Sequence, residues 1–328
     1  MVSLLSFRGG IFINVVLIST ILSFLLSLAI GPLFIKWVSH MQFKQSVREE
    51  GPTSHKKKQG TPIFGGFIFL LPLFILSLFL IEKTYAYWFI VVLTMGYAFI
   101  GFIDDFLKVV RKHNGGLTAK QKIVLQLLLS IAAYFILMSG HHDTSISLPG
   151  LPFHIDLSYG YFLFFIFMTI GTTNATNLTD GLDGLLGGLM AIALAVYSII
   201  AFQNGQTESM LFASLTLGSL LGFLLFNRHP AKIFMGDTGS LALGGLLAAI
   251  AILTKTEFLL VIVGGVFVAE ALSVLIQVIS FKRTGKRIFK MAPLHHHYEL
   301  TGWTEQRVVS TFYIAGMLLG TIAVLIGG

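Results

Sequence analysis

The chain has 328 residues, of which 55% are hydrophobic and only 11% charged, with 30 phenylalanines and no cysteine. So apolar a chain, far too long for one spanning helix, indicates a polytopic membrane protein. The lack of cysteine excludes a disulfide framework and a thiolate metal site. The formal net charge of +7 fits membrane topology and attraction to anionic lipid, so nucleic acid is not an expected partner.

Apolar stretches of nearly spanning length recur along the whole chain. Crossing about 30 Å of hydrocarbon requires roughly 20 apolar residues in a helix. The stretches that approach this length are residues 11–35, 65–81, 87–103, 123–138, 157–173, 185–202, 210–226, 241–254, 258–281 and 308–326. The sequence therefore predicts an all-α polytopic membrane protein with about ten transmembrane helices in a single domain over residues 1–328.

Two features of this pattern stand apart. The ninth stretch contains Glu270, and an acid within a predicted span is a functional candidate by default. Packing against an unseen donor explains Glu270 equally well, so its role stays open. Residues 140–160 alternate in short runs that predict a small hairpin, and its neighbours His141 and His142 are interpreted as ordinary loop residues.

Lysine and arginine predict the orientation, because basic residues concentrate in short cytoplasmic loops. With ten spans and an external N-terminus, one side of the membrane receives residues 36–64, 104–122, 174–184, 227–240 and 282–307. These segments hold all of the 22 lysines and arginines except Arg8, Lys83 and Lys255. Both termini are therefore predicted to be external, and any site for anionic substrates is predicted on the cytoplasmic face.

Asp104 and Asp105 end the third apolar stretch and are followed by Lys108. Charge beside hydrocarbon is costly, so acidic pairs there commonly face cavities, ions or substrates. The alternative is a helix end that has reached water. Adjacent helical side chains diverge by roughly 100°, so the two aspartates are not expected to chelate one ion together. One is expected to face the ligand, and the other to be held by Lys108 or solvent.

A second cluster follows the fifth stretch, where Asn177, Asp180 and Asp183 recur every third residue. In a helix these positions share a face and would present oxygen ligands for a hard cation or a sugar. Gly181 and Gly184 would let the backbone approach a ligand closely, whereas the alternative is a glycine-rich turn with capping side chains.

A single carboxylate, Asp237, stands between two glycines where the eighth span is predicted to begin. It is either an N-cap or a ligand that holds Mg²⁺ against a phosphate bound at the helix N-terminus. The same inner loop starts at Asn227 and contains Phe234.

Two basic loops complete the pattern. One ends in consecutive histidines, His295 to His297, after a run of lysines and arginines. Neighbouring residues on one helix point apart, which disfavours a zinc site. Imidazoles that donate hydrogen bonds beside a basic run favour a phosphate site. The alternative is an interfacial loop. The other loop leads through Lys58 into a glycine-rich helix start, which suits either a membrane anchor or an anionic ligand.

Five motifs occur in a fixed order across nearly the whole chain. They read Lys58-x-Gly-Thr-Pro-x-x-Gly-Gly, Asp104-Asp105-x-x-Lys108, Asn174-x-x-Asn177-x-x-Asp180-Gly-Leu-Asp183-Gly, Phe234-Met-Gly-Asp237-x-Gly-Ser and Pro293-Leu-His295-His296-His297-Tyr-Glu-Leu. Together they closely resemble the phospho-N-acetylmuramoyl-pentapeptide transferase family, within the polyprenyl-phosphate N-acetylhexosamine-1-phosphate transferases. One departure is Ile63-Phe64, where that branch commonly has Thr-Met, and it removes an expected hydroxyl contact at position 63.

The resemblance implies transfer of phospho-MurNAc-pentapeptide from UDP-MurNAc-pentapeptide to undecaprenyl phosphate with Mg²⁺, giving lipid I and UMP. It implies a multi-pass protein of the bacterial plasma membrane, acting as a homodimer. The implied catalytic residues are Asp104, Asp105, Asp237, His295 and His296. Asp104 is implied to orient or deprotonate the lipid phosphate, Asp237 to bind the metal, and His295 and His296 to assist at the phosphates. The implied substrate-binding residues are Lys58, Asn177, Asp180, Asp183, Asn227, Phe234 and His297, with Phe234 stacking on uracil.

Two alternatives remain open. A sibling transferase would use UDP-N-acetylglucosamine, and the triple-histidine form favours the muramoyl branch over it. An ion-coupled transporter would place acids and broken helices near the bilayer midplane. The acids instead gather at one predicted face, with only Glu270 deep in a span, and no inverted repeat is visible.

Overall fold

The chain folds into a bundle of helices with one small hairpin. The computed structural model describes residues 2–43, 60–111, 115–150 and 153–327. The helices are α1 (Val2–His40), α2 (Gly66–Leu80), α3 (Tyr85–Arg111), α4 (Ala119–Ser139), α5 (Gly160–Thr179), α6 (Leu185–Gln203), α7 (Thr207–Asn227), α8 (Gly236–Leu253), α9 (Leu259–Val263), α10 (Gly265–Thr284), α11 (Leu294–Leu300) and α12 (Glu305–Gly327). The strands are β1 (Ser145–Ser147) and β2 (His154–Asp156).

Nine of the ten predicted spans each lie on one helix, and the ninth covers two. In the described ranges, 8 helices are long and apolar enough to cross a membrane, and α2 is a shorter apolar helix of 15 residues. The ninth predicted span is divided into α9 and α10 at Gly264, which ends the first helix and precedes the second. The prediction of an all-α polytopic membrane protein is confirmed.

Helix α8 lies at the centre of the bundle, and its residues from Thr238 to Leu253 are buried. Glycines let neighbouring helices come close to it, as small residues do at helix contacts in membranes. A Cβ at Gly101 of α3 would overlap the Asp237 backbone, and a Cβ at Gly66 of α2 would lie 2.6 Å from the Gly239 nitrogen. Direct backbone contact therefore sets the distance between the end of α3 and the start of α8.

The predicted hairpin is confirmed and lies between α4 and α5. Its strands are antiparallel, with Ile146 opposite Ile155. Lys255, just beyond the end of α8, donates hydrogen bonds to the carbonyls of Asp143, at 2.7 Å, and Ser145. The hairpin thus lies at the far end of α8 from Asp237.

His142 near this hairpin is only partly exposed. Its Nε2 lies 3.2 Å from the Tyr161 hydroxyl, which donates to the buried carboxylate of Glu257 at 3.0 Å. Burial and the nearby Lys255 ammonium lower the pKa of His142 to about 4. His142 therefore belongs to a neutral, hydrogen-bonded group that closes this end of the bundle.

Candidate active site

Four helix ends bring acidic and basic side chains together. Asp104, Asp105 and Lys108 lie near the end of α3, Lys122 lies in the first turn of α4, and Asp237 lies in the first turn of α8. The last turn of α5 adds Asn177. We call Asp104, Asp105 and Asp237 the carboxylate cluster, because one oxygen from each lies within 4.8 Å of the others.

Asp105 is completely buried and caps the start of α8. Its carboxylate accepts hydrogen bonds from the backbone N–H groups of Asp237, at 3.1 Å, and Thr238, at 2.9 Å, and from the Thr238 hydroxyl at 2.8 Å. From the sequence, the free N–H groups at this helix start were a candidate phosphate site. That expectation is wrong for these two groups, because a carboxylate from α3 already occupies them.

Asp237 directs its side chain away from the backbone of its own helix. One oxygen lies 2.7 Å from Lys122 Nζ and 3.3 Å from Lys108 Nζ. The other accepts a hydrogen bond from Asn177 Nδ2 at 2.9 Å. Met235 occupies the N-cap position without a side-chain cap, so the N-cap interpretation of Asp237 is wrong. The Asp237 carboxylate therefore contacts the two lysines and Asn177 and does not cap its own helix.

Asp104 joins the same group from α3. Lys108 Nζ lies 2.6 Å from Asp104, 3.6 Å from Asp105 and 3.3 Å from Asp237. The Leu117 N–H donates to the second Asp104 oxygen at 2.7 Å. Asp104 and Asp105 diverge along α3, but the Lys108 ammonium and the Asp237 carboxylate approach both of them. That the two neighbouring aspartates do not chelate one ion together stays a prediction.

The carboxylate cluster suits a hard divalent cation, because Mg²⁺ and Ca²⁺ bind oxygen ligands and carboxylates above all. Its three carboxylates, Asp104, Asp105 and Asp237, come from two helices whose separation the backbone fixes. Two ammonium groups offset part of their negative charge in the free protein. These residues could hold a metal ion.

The predicted face of Asn177, Asp180 and Asp183 is only partly formed. α5 ends at Thr179, so the third residue lies beyond the helix and turns elsewhere. The buried Asp183 carboxylate accepts from the Ala231 N–H at 3.0 Å. Of the three residues, only Asn177 and Asp180 lie beside the carboxylate cluster. Asn177 donates a hydrogen bond to Asp237, and the negative charges of Asp237 and Asp105 act on the Asp180 carboxyl.

Asp180 is half-buried at the end of α5. Burial, together with the negative charges of Asp237, Asp105 and Asp183, raises its pKa to about 8. A carboxyl that keeps its proton near neutral pH is common where a site is arranged to receive a cation or substrate.

Asn227 is the last residue of α7, and Phe234 lies on the loop that follows it. The buried Asn227 amide accepts from the Gly184 N–H at 3.1 Å and donates to the Ile233 carbonyl at 2.9 Å. It therefore ties the loop to the start of α6. Phe234 keeps a partly exposed ring, and its backbone N–H donates to the Pro62 carbonyl at 2.9 Å.

The glycine-rich entry of α2 is anchored to this loop as well. The N–H groups of Gly65 and Gly66 donate to the carbonyls of Phe234, at 2.8 Å, and Met235, at 3.0 Å. Ile63, which replaces the hydroxyl-bearing residue common in the family, is buried and packs against the protein. Lys58 lies outside the described residues.

The three histidines point in different directions. His295 is buried, with Nδ1 at 3.0 Å from the Glu270 carboxylate. His296 lies 2.9 Å from Glu299, and His297 Nδ1 accepts from the Lys290 N–H at 3.1 Å. The histidines thus do not form one row of donors.

Sequence reasoning missed Lys122 and left Glu270 undecided. Thr118 and Gln121 form a capping box that starts α4. This pattern of a threonine three residues before a glutamine could have located the helix start and hence the lysine in its first turn. Nothing local in the sequence pairs Glu270 with His295, 25 positions away.

Residues 87–255 match the model of the family described as glycosyl transferase family 4. The chain is also similar to proteins named phospho-N-acetylmuramoyl-pentapeptide-transferase. That of Geobacillus sp. (strain WCH70) is 51% identical over 320 residues, covering 95% of this chain and 98% of that protein. That of Shouchella clausii (strain KSM-K16) is 52% identical over 311 residues, covering 94% and 96%.

The relative from Bacillus subtilis (strain 168) is 49% identical over 317 residues, covering 95% of this chain and 98% of that protein. Agreement over nearly the full length of both chains includes every helix end that builds the site. The chain therefore belongs to glycosyl transferase family 4 and, within it, to the phospho-N-acetylmuramoyl-pentapeptide transferases.

Proposed function

We propose that the protein transfers phospho-MurNAc-pentapeptide from UDP-MurNAc-pentapeptide to undecaprenyl phosphate, forming lipid I and UMP. The observation that carries this proposal is the carboxylate cluster, which four converging helix ends join to Lys108 and Lys122. Relatives that are about half identical over nearly their full length bear the name of this activity.

The placement of the site suits one soluble and one lipid substrate. Lys122, Asp237 and Asn177 lie in terminal turns of their helices, and Asp104 lies about two turns before the end of α3, where both a water-soluble nucleotide and a lipid headgroup can reach them. The lysine and arginine pattern assigns this end to the cytoplasm and both termini to the exterior of a bacterial plasma membrane. The protein acts there as a homodimer, as the family resemblance implies.

The reaction exchanges one phosphoanhydride bond for another. An oxygen of undecaprenyl phosphate attacks the phosphorus that carries the sugar, and the bond from that phosphorus to the UMP oxygen breaks, with its electron pair leaving on UMP. Such transfers depend mainly on positioning and charge neutralisation. Lys108 and Lys122 supply positive charge, and Asp104 orients the lipid phosphate or takes its proton. Asp105 holds the start of α8 in place.

The donor set fits Mg²⁺, and Asp237 is the residue we assign to it, with Asp104 and Asp105 beside it. When bound, this ion neutralises the pyrophosphate oxygens. The nucleotide-sugar lies along the neighbouring loops. Asn177, Asp180, Asp183, Asn227 and Lys58 contact the nucleotide or its phosphates, Phe234 stacks on uracil, and His295, His296 and His297 serve the phosphates, as the family resemblance implies.

A UMP-release assay tests this function. Purified protein with undecaprenyl phosphate and Mg²⁺ should release one UMP per lipid product from UDP-MurNAc-pentapeptide, and none when the lipid phosphate is omitted. UDP-N-acetylglucosamine in its place should give no UMP. Asp237→Ala should lose activity, whereas Glu257→Gln, at the far end of α8, should keep it. Near-normal UMP release by Asp237→Ala would refute the metal assignment, and no UMP from wild type would refute the function.

The transporter alternative loses its main support. It depended on Glu270 as a charge deep in a span, yet this carboxylate is paired with His295 from the site's own loop. The relatives carry the name of a transferase.

A further inference from the structure

Glu270 makes two contacts to one residue. It is completely buried on α10, and its Oε1 lies 3.0 Å from His295 Nδ1 and 3.3 Å from the His295 backbone nitrogen. Because Oε1 already accepts a hydrogen bond from the His295 backbone N–H, we assign the hydrogen of the Nδ1–Oε1 pair to Nδ1. Two bonds to a single oxygen restrict both the position of α11 and the rotation of the imidazole ring.

The other ring nitrogen has a different environment. His295 Nε2 is buried and has no hydrogen-bond partner among the residues that the structure describes. It lies against Gly181, where a Cβ would overlap it. A buried polar atom without a partner costs free energy, and such atoms in folded proteins call for an explanation such as a ligand or a water molecule. Next to Gly181 stands Asp180, beside the carboxylate cluster.

We propose that Glu270 is a positioning residue of the transferase site, acting through His295. By holding Nδ1–H, it leaves Nε2 directed at the Asp180–Asp183 segment, where this ring nitrogen is available to hydrogen-bond with the bound nucleotide-sugar. The inference rests on the proposed function and deepens it. Carboxylates that orient metal-bound histidines commonly affect activity about ten- to a hundredfold, and we expect an effect of the same order here.

A double-mutant cycle separates positioning from packing. Glu270→Gln keeps a carbonyl acceptor for Nδ1–H without the charge, and Glu270→Ala removes the acceptor. We expect the kcat of UMP release to fall about tenfold with Gln and about a hundredfold with Ala, while KM for UDP-MurNAc-pentapeptide stays within about threefold. In a His295→Ala background neither substitution should lower kcat further, because the residue through which Glu270 acts is gone.

The controls guard against simple loss of folding. Glu257→Gln changes another buried carboxylate, at the far end of α8, and should leave kcat unchanged. Thermal unfolding of each variant gives the folded fraction by which kcat is normalised. If Glu270→Ala does not fold, the Gln variant alone completes the cycle.

Three results would overturn the inference. The first is a wild-type kcat in folded Glu270→Gln and Glu270→Ala. The second is an equal loss of kcat on changing Glu270 whether or not His295 is present. The third is a wild-type kcat in His295→Ala. Wild-type protein that released no UMP would instead refute the proposed function, so the two failures are distinguishable.

Discussion

Lys122 and Asp237 meet across the start of two helices, with Nζ and Oδ2 2.7 Å apart. Lys108 approaches the same oxygen at 3.3 Å, so two ammonium groups share one carboxylate oxygen. In the free protein these lysines offset part of the negative charge of the carboxylate cluster. When phosphates enter, the same ammonium groups can turn to them, so we propose Lys122 as a further member of the site.

Replacing Lys122 by methionine should therefore lower kcat strongly. The substitution removes a positive charge from the reacting phosphates and leaves Asp237 without its shortest partner, and losing one such stabilising group typically costs about a hundred- to a thousandfold. The measurement is UMP release at saturating substrates. Lys120→Met removes the same charge from an exposed position two residues away and should have little effect. Equal losses in both variants would show that only the overall charge of the face matters.

Asp105→Asn should destabilise the protein as well as slow it. Asparagine places an amide NH₂ where one carboxylate oxygen now accepts hydrogen bonds from Asp237 and Thr238, and a buried donor facing a donor costs about 1–3 kcal/mol. We expect a lower midpoint of thermal unfolding in detergent. Exposed Glu82→Gln, which also removes one negative charge, should leave the midpoint unchanged. An Asp105→Asn variant as stable as wild type would mean that the cap on α8 contributes nothing.

Gly181→Ala should reduce activity by about tenfold or more, because the new methyl group would overlap the His295 ring and displace either α11 or the Asp180–Asp183 segment. The measurement is kcat for UMP release together with thermal stability. Gly171→Ala is the matched control, since a Cβ at that position of α5 meets nothing within 4 Å. It should be neutral or slightly stabilising, as alanine favours the helix. Wild-type activity in Gly181→Ala would show that this contact does not matter.

The raised pKa of Asp180, about 8, predicts how stability depends on pH. Its ordinary pKa is 3.8, so between these values the folded protein holds a proton that the unfolded chain has lost. The stabilising contribution is complete below about pH 4 and is lost as the pH rises to about 8. Asp180→Asn cannot ionise.

Thermal unfolding without divalent cations, measured from about pH 5 to 9, tests this dependence. The stability of Asp180→Asn relative to wild type should rise with pH and level off above about pH 8. A constant difference between the two proteins across this range would contradict the assignment.

The sequence predicted the helices well because hydrocarbon thickness imposes a length and a composition on each span. It predicted that Asp104 and Asp237 belong to one site, since the motifs fall at helix ends on one side. It could not predict that Asp105 caps α8, because the partners lie 132 and 133 positions apart.

One error has a clear physical cause. The shared face of Asn177 and Asp183 presumed a helix that continues past Thr179, where α5 ends. A neighbouring segment decides the outcome, because the Ala231 N–H donates a hydrogen bond to Asp183 and holds it away from Asn177. Periodicity describes one helix and contains no information about such neighbours.

The contact of Gly101 with the Asp237 backbone has a consequence for ligand affinity. Since backbone atoms hold α3 against α8, the carboxylates of the two helices keep their separation whether or not a ligand is bound. A cation that binds between them therefore requires no rearrangement of the helices. Because its ligands come from two helices of the bundle, its binding stabilises the whole membrane domain rather than a single loop.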